Sequence, residues 1–263
     1  MAVGRYMERQ RVWEWLALGN FLLGGAGGGL YIVALLVQAG GLNLLSQLSA
    51  ALVVAGLLCV MAEAGRPSRA VGVVRNIKTS WMSREALFAS GFILFTALDT
   101  LILPSMTLKT LAWASALGYV VCQSFMPAAA KKIPAWNTPA TAPLFIALSI
   151  AAGAGITGLA SPAANQLHMI NTALAASVLA VGASYAIWPG ATEYFRQALK
   201  REGNVIYLAG GLLITALAVA PAMLFSNQTA GLLLITGTSV VKYTIIIRMS
   251  YKLPVLPPLE ALR

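Results

Sequence analysis

WLALGNFLLGGAGGGLYIVALLVQAGGLNLLSQLSAALVVAGLLCVMA, residues 15–62, runs for 48 positions without an Asp, Glu, Lys or Arg. A membrane-crossing helix needs about 20 mainly apolar residues. The stretch is long enough for two, and Gly40-Gly41-Leu42-Asn43 supplies a turn between them. The same reading extends along the chain. Residues 86–108 are interrupted only by Asp99, and residues 110–130 carry no charge. Residues 133–192 form a 60-residue uncharged run that Ser161-Pro162-Ala163-Ala164-Asn165 divides. Residues 203–241, extendable to 247 past Lys242, are divided at Ser226-Asn227-Gln228. The pattern predicts an all-α polytopic membrane protein, a bundle of eight transmembrane helices over 14–38, 44–64, 84–103, 106–127, 140–160, 165–188, 204–225 and 229–249. The whole of 1–263 reads as one transmembrane domain with short loops. Its last segment, 250–263, holds Pro254, Pro257 and Pro258 and reads as an extended tail.

Composition agrees. Of the 263 residues 59% are apolar and 10% charged, with a mean hydropathy of +0.78. An ordinary soluble domain carries roughly 25% charged residues. A soluble enzyme, a nucleic-acid-binding domain and a disordered chain are therefore excluded. Two cysteines, Cys59 and Cys122, and one histidine, His168, exclude a four-thiolate cluster and a haem held between two histidines of this chain. The first apolar run is too long for a signal-peptide core and follows mixed charge that includes Glu8 and Glu14, so it reads as a retained helix.

Eight spans put both termini on one face. Sixteen of the 18 basic residues fall there, among them Arg5, Arg9, Arg11, Arg66, Arg69, Arg84, Lys131, Arg201 and Arg248. The positive-inside rule makes that face cytoplasmic. The formal net charge of +10 is then explained by topology and anionic lipid, with docking of an acidic soluble partner as a second use.

Polar residues collect at the same face. Glu63 ends the second helix, Arg66-Pro67-x-Arg69 follows, and Ser80-Trp81-Met82-Ser83-Arg84-Glu85 opens the third. Capping by Ser80 or Ser83 and the helix dipole account for Ser83 and Glu85 singly, but not for the gathering. Asn20 lies about one and a half turns into the first helix, and Tyr119 and Gln123 lie near the matching end of the fourth. Carboxylates, an amide, a guanidinium and aromatic rings at one membrane surface suit a quinone headgroup, with a carboxylate to relay protons. The tryptophans Trp13, Trp15, Trp136 and Trp188 read as interfacial belt residues. Asp99 and Lys109 read as an ion pair across the Pro104 turn, with a proton path as the alternative. Lys242, about two turns inside the last helix, is a proton-transfer candidate, a salt-bridge partner of a carboxylate, or a snorkelling lysine. The glycine run Gly24-Gly25-Ala26-Gly27-Gly28-Gly29 fails the dinucleotide pattern. It contains two G-x-x-x-G pairs, Gly24/Gly28 and Gly25/Gly29, which favour close helix approach.

Two stretches carry a family resemblance: Glu63-Ala64-Gly65-Arg66-Pro67-x-Arg69-Ala70 and Thr79-Ser80-Trp81-Met82-Ser83-Arg84-Glu85. Together they resemble the loop between helices two and three of DmsC-like membrane anchors of molybdopterin oxidoreductases. Gly19-Asn20-Phe21-Leu22-Leu23-Gly24-Gly25 is similar to the first helix of NrfD-like (polysulfide reductase-type) anchors. The resemblance implies a complex with a catalytic subunit holding a molybdenum bis-guanylate cofactor and a ferredoxin-like subunit holding four [4Fe-4S] clusters. It implies that this chain, without haem, exchanges electrons with ubiquinone or menaquinone in a bacterial inner membrane. It places Glu85 on the carboxylate of a serine-x-glutamate motif of the quinol site. Glu63 falls where the family often has histidine, and Asn20 on a polar residue near the quinone. The expected quinone-binding set is Glu63, Arg66, Glu85, Asn20, Trp81, Ser83, Arg84 and Tyr119. The expected proton-transfer set is Glu63, Glu85, Asp99 and Lys242. A cytoplasmic docking face is similar to that of sulfite-oxidising complexes of the family. A quinol-using reductase of DMSO, polysulfide or thiosulfate is the alternative, and a secondary anion transporter the second alternative.

Overall fold

The computed structural model of the chain describes residues 7–11, 13–64, 76–161, 167–188, 190–218 and 226–253. Among them the chain is all-helical, with no strand beyond one isolated bridge between Arg9 and Tyr251. The long helices are α1 (Trp15–Leu36), α2 (Leu42–Ala64), α3 (Trp81–Ile102), α4 (Met106–Ala128), α5 (Thr141–Ala160), α6 (Leu167–Ala186), α8 (Asn204–Leu217) and α9 (Asn227–Arg248). A short amphipathic helix, α7 (Glu193–Lys200), buries Phe195 and Ala198 and was not foreseen. Six helices, α1, α2, α3, α5, α6 and α9, are long and apolar enough to cross a membrane. Of the others, α4 has 23 residues and carries Lys109, while α8 has 14 described residues and borders 219–225, outside the described set.

Local chemistry sets the helix ends. Gly41 takes φ +72°, a left-handed conformation that costs glycine little, and so makes the turn between α1 and α2. Ser80, extended, accepts a hydrogen bond from the Ser83 N–H and caps α3, which begins three residues before the expected start. Thr192 caps α7 and Ser226 caps α9 in the same way.

The core is centred on α1 and α5, which are mostly buried, while α2, α3 and α6 turn most of their surface outward. α1 packs on α2, α4 and α5, and α5 also packs on α6 and α9. The glycine run makes this possible. A Cβ at Gly27 would meet Ser49 O at 2.8 Å on α2, and one at Gly28 would meet the Val120 side chain at 2.7 Å on α4. A Cβ at Gly29 or at Gly153 would sit inside the backbone of the facing helix, so α1 and α5 touch main chain to main chain. The packing reading of the glycines is what the structure has.

The two described ends of the chain meet at one end of the bundle. Gln10 N–H donates to Ser250 O at 2.9 Å, Lys252 N–H to Glu8 O at 2.8 Å, and Leu253 N–H to Lys132 O at 3.0 Å. Residues 250–253 of the expected tail are thus tied to the N-terminal segment and to Lys132; 254–263 lie outside the described residues. In this strap Tyr251 donates to Glu202 Oε1 at 3.1 Å. Burial, followed by the Glu202 charge, pushes its phenol above the usual range.

Trp136 departs from the belt expectation. It is buried, donates from Nε1 to Ile245 O at 2.8 Å and packs against Trp13. An indole with a carbonyl in reach is a core residue. Trp15, 65% exposed and stacked on Tyr243, fits the belt.

Candidate functional site: a buried polar cluster at a π-turn of α1

The first helix is interrupted by a π-turn at Asn20–Gly24, a device common at functional positions. Polar side chains from four other helices converge on it. Glu85, one turn into α3 and 1% exposed, accepts from Asn20 Nδ2 and from Gln123 Nε2, each at 3.2 Å. Gln123 Nε2 also lies 3.1 Å from Asn20 O and 2.9 Å from the Tyr119 hydroxyl oxygen. Tyr119 and Gln123 are four residues apart on α4 and so share a face. Both are buried. Asn20 Oδ1 is buried and has no hydrogen-bond partner among the described residues. Such a group carries a desolvation cost of about 1–3 kcal/mol until something donates to it.

On the other flank of the same turn, Lys242 of α9 is 1% exposed. Its Nζ donates to Phe21 O at 2.7 Å and to Ser149 Oγ of α5 at 3.0 Å. Among the described residues Lys242 forms no salt bridge to a carboxylate, and, buried, it does not snorkel. Backbone and hydroxyl oxygens offered by the wide turn of α1 and by α5 take its protons instead. Bare glycines leave the room. A Cβ at Gly25 would lie 2.6 Å from Ser149 Oγ, 2.7 Å from Lys242 Nζ and 2.9 Å from Gln123 Oε1. One at Gly24 would meet the Tyr119 hydroxyl.

The structure therefore brings together Asn20, Glu85 and Tyr119, with Lys242 beside them. Gln123, which the sequence placed at this end without a role, is the hub, and Ser149 was missed. An amide or hydroxyl inside an uncharged span, on the face its neighbours bury, is the signal that finds both. The other expected residues stand apart. Ser83 is buried, and its N–H is spent on the cap of α3. Trp81 stacks on Phe125 with ring centroids 4.6 Å apart, and the Arg84 guanidinium lies 4.5 Å over the Trp81 ring. Arg84 is further held by Ile77 O at 2.8 Å. Trp81 and Phe125 line a groove of about 570 Å³ with Ala129, Asn137 and Pro143. Glu63 is half-buried and accepts from the Glu14 N–H at 3.1 Å, so it serves the N-terminus of α1. Arg66 lies outside the described residues.

Asp99 belongs to the far end of α3, fourteen residues or about 21 Å from Glu85. There it pairs with Lys109 at 2.9 Å and accepts from the Ser105 N–H at 2.8 Å. Between the two carboxylates the inward stripe of α3 carries Ala89, Phe92 and Thr96. The ion pair expected across the Pro104 turn is present. Among the described residues no group of three or more His, Cys, Asp or Glu gathers as a metal ligand set.

No protein-family model matches the chain, and no curated protein matches it.

Proposed function

We propose that the chain is the quinone-reactive membrane anchor of a molybdopterin oxidoreductase complex. In this reading α4 and α8 cross the bilayer with the six other long helices, giving eight spans in a bacterial inner membrane with both termini and the docking face in the cytoplasm. The partners are a ferredoxin-like subunit with [4Fe-4S] clusters and a catalytic subunit with the molybdenum bis-guanylate cofactor. Cytoplasmic sulfite oxidation is the favoured direction of use.

The observation that carries the reading is the buried cluster with an unpaired acceptor. Asn20 Oδ1 accepts nothing from the described residues and suits a hydroxyl of a quinol ring. The Tyr119 oxygen accepts from Gln123, so its own proton is free to donate to a ring carbonyl. Glu85, held by two amide N–H groups, is the carboxyl that holds or gives up a proton beside the ring. A bound quinone supplies two-electron, two-proton chemistry; the chain supplies hydrogen bonds, a dry site and a proton-holding group. The groove at Trp81 and Phe125, one turn of α3 from Glu85, is the entry side. A second groove lined by Arg9, Arg11 and Lys252 with Glu8 is net basic and suits an acidic partner or anionic lipid.

Metal analysis of the gently solubilised protein with its partners tests the assembly. About 16 iron atoms and one molybdenum or tungsten per complex are expected, four cubane clusters and one pterin site. A lone 27.6 kDa chain without metals would sink the reading. Within the complex, Glu85→Gln is expected to slow quinone-linked turnover by about 10²-fold or more. Artificial-dye activity of the soluble subunits should persist. Equal loss of both activities assigns Glu85 to assembly instead.

A further inference from the structure

We propose that Glu85 and Lys242 are the compensating charges of one buried pair, coupled through the side-chain amide of Gln123 across the Gly24-Gly25 stretch of α1. The pairing concerns this chain's own residues and stands whether or not the ligand is a quinone.

Both side chains are 1% exposed, inside a bundle of apolar helices. Neither belongs to a direct ion pair among the described residues, whose pairs are Arg9–Glu202, Lys109–Asp99 and Arg248–Glu202. A lone charge in such a place is costly, and buried charges are found paired or heavily hydrogen-bonded. Each has only neutral first partners: two amide N–H groups for Glu85, a carbonyl and a hydroxyl for Lys242. Gln123 stands between them. Its Nε2 is 3.2 Å from Glu85 Oε1. Its Oε1 and the Lys242 Nζ lie 2.9 and 2.7 Å from the point that a Gly25 Cβ would occupy, so they share one small space. The amide dipole thus points its N–H end at the carboxylate and turns its carbonyl end to the ammonium side. That is the orientation in which it stabilises both charges, and the low dielectric strengthens the effect.

The surroundings hold no better counter-charge. From α3, Arg84 is only partly buried, so solvent answers its charge, and its side chain is turned to the Trp81 ring and the carbonyls of Ile77 and Lys78. From α4 come Tyr119 and Cys122, and beside Lys242 on α9 Tyr243 stacks on Trp15. α1 and α5 contribute Asn20 and Ser149, and α2 brings Cys59 against Gly19. Among these Lys242 is the cation left to answer Glu85.

The test is a double-mutant cycle on the full chain in detergent, read as the midpoint of heat-induced loss of the folded size-exclusion peak. The variants are Lys242→Met, Glu85→Gln and both together. Each single change leaves one buried charge uncompensated and is expected to lower the midpoint by about 5 °C or more. The double variant is expected to lose less than the two losses added, by at least about 3 °C. If Lys242→Met yields no folded peak, the double variant must restore one. Ser149→Ala removes a lysine partner but no charge, so combined with Glu85→Gln it should be additive. Gln123→Leu should shrink the Glu85–Lys242 coupling. Additive losses for Glu85 and Lys242, a double variant that stays unfolded, or an equal coupling for Ser149 and Glu85 would each overturn the proposal.

Discussion

Replacing Gly29 by alanine adds one methyl group at the seam between α1 and α5. A Cβ there would enter the Ser149 carbonyl region, and the next atoms it meets are Ser149 C and Ile150 Cα at 2.8 and 2.9 Å. All are backbone, so no rotamer change relieves the clash; the two helices must part. Overpacking a well-filled core costs about 1–3 kcal/mol, and a clash with rigid main chain belongs at the upper end. At about 2–4 °C per kcal/mol for a chain of this size, the expected fall in midpoint is about 6–12 °C. Gly210 is the matched control. It lies inside α8, and a Cβ there meets nothing within 4 Å. Gly210→Ala should leave the midpoint unchanged or raise it, since alanine in a helix is better by about 0.4–1 kcal/mol. Thermal size-exclusion of the two variants and the parent decides the matter. A Gly29→Ala protein as stable as the parent, or a Gly210→Ala protein equally damaged, would refute the close main-chain seam.

Lys109→Ala strands the buried Asp99 carboxylate and should cost about 3 kcal/mol, whereas Asp99→Asn, which keeps an acceptor for the Ser105 N–H, should cost less; melting of the two variants gives the order. Trp136→Phe removes the donor to Ile245 O while keeping most of the ring, so a loss of about 1–3 kcal/mol is expected; a belt tryptophan would show almost none. Ser80→Ala removes the cap of α3 and should cost about 1 kcal/mol, seen as a small fall in midpoint with the cluster at Glu85 intact.

The helices were legible because the signal for them is one-dimensional. Six of the eight expected spans are helices long and apolar enough to cross a membrane, and the turns at Gly40-Gly41 and Ser226 fall where the sequence marks them. The π-turn at Asn20–Gly24 carries no such mark, since it depends on which carbonyls find donors on neighbouring helices. The short helix Glu193–Lys200 was hidden in the same way: its charges read as a loop until Phe195 and Ala198 found a surface to cover. The site was half legible. Asn20, Glu85 and Tyr119 could be named because polar groups near one end of apolar spans are few. Gln123 and Ser149 look like ordinary polar residues until α1, α4, α5 and α9 are brought together around Gly24 and Gly25. Glu63 is a different case: its position at the same membrane face and the family resemblance grouped it with Glu85, and in the structure its carboxylate accepts from the N–H of Glu14, the residue that precedes α1.

The glycine run ties packing and chemistry together. Around one turn of α1 its bare positions admit a different neighbour on each side: Ser49 of α2 at Gly27, Tyr119 and Val120 of α4 at Gly28, and α5 at Gly29. One turn earlier the same bareness, at Gly24 and Gly25, admits side-chain ends in place of backbone: the Tyr119 hydroxyl, the Gln123 amide, the Ser149 hydroxyl and the Lys242 ammonium. The polar cluster is thus the point where a close-packed helix hub loosens enough to hold functional groups. If Glu85 and Lys242 cancel there, the unpaired Asn20 oxygen faces a ligand from a cluster without net charge. An anion would then gain nothing from the lysine that the carboxylate does not offset. An uncharged molecule with a hydroxyl to donate would satisfy the Asn20 acceptor, which no described residue fills. On the proposed pairing, that difference is what separates the proposed quinol from a transported anion as the ligand to test at Asn20.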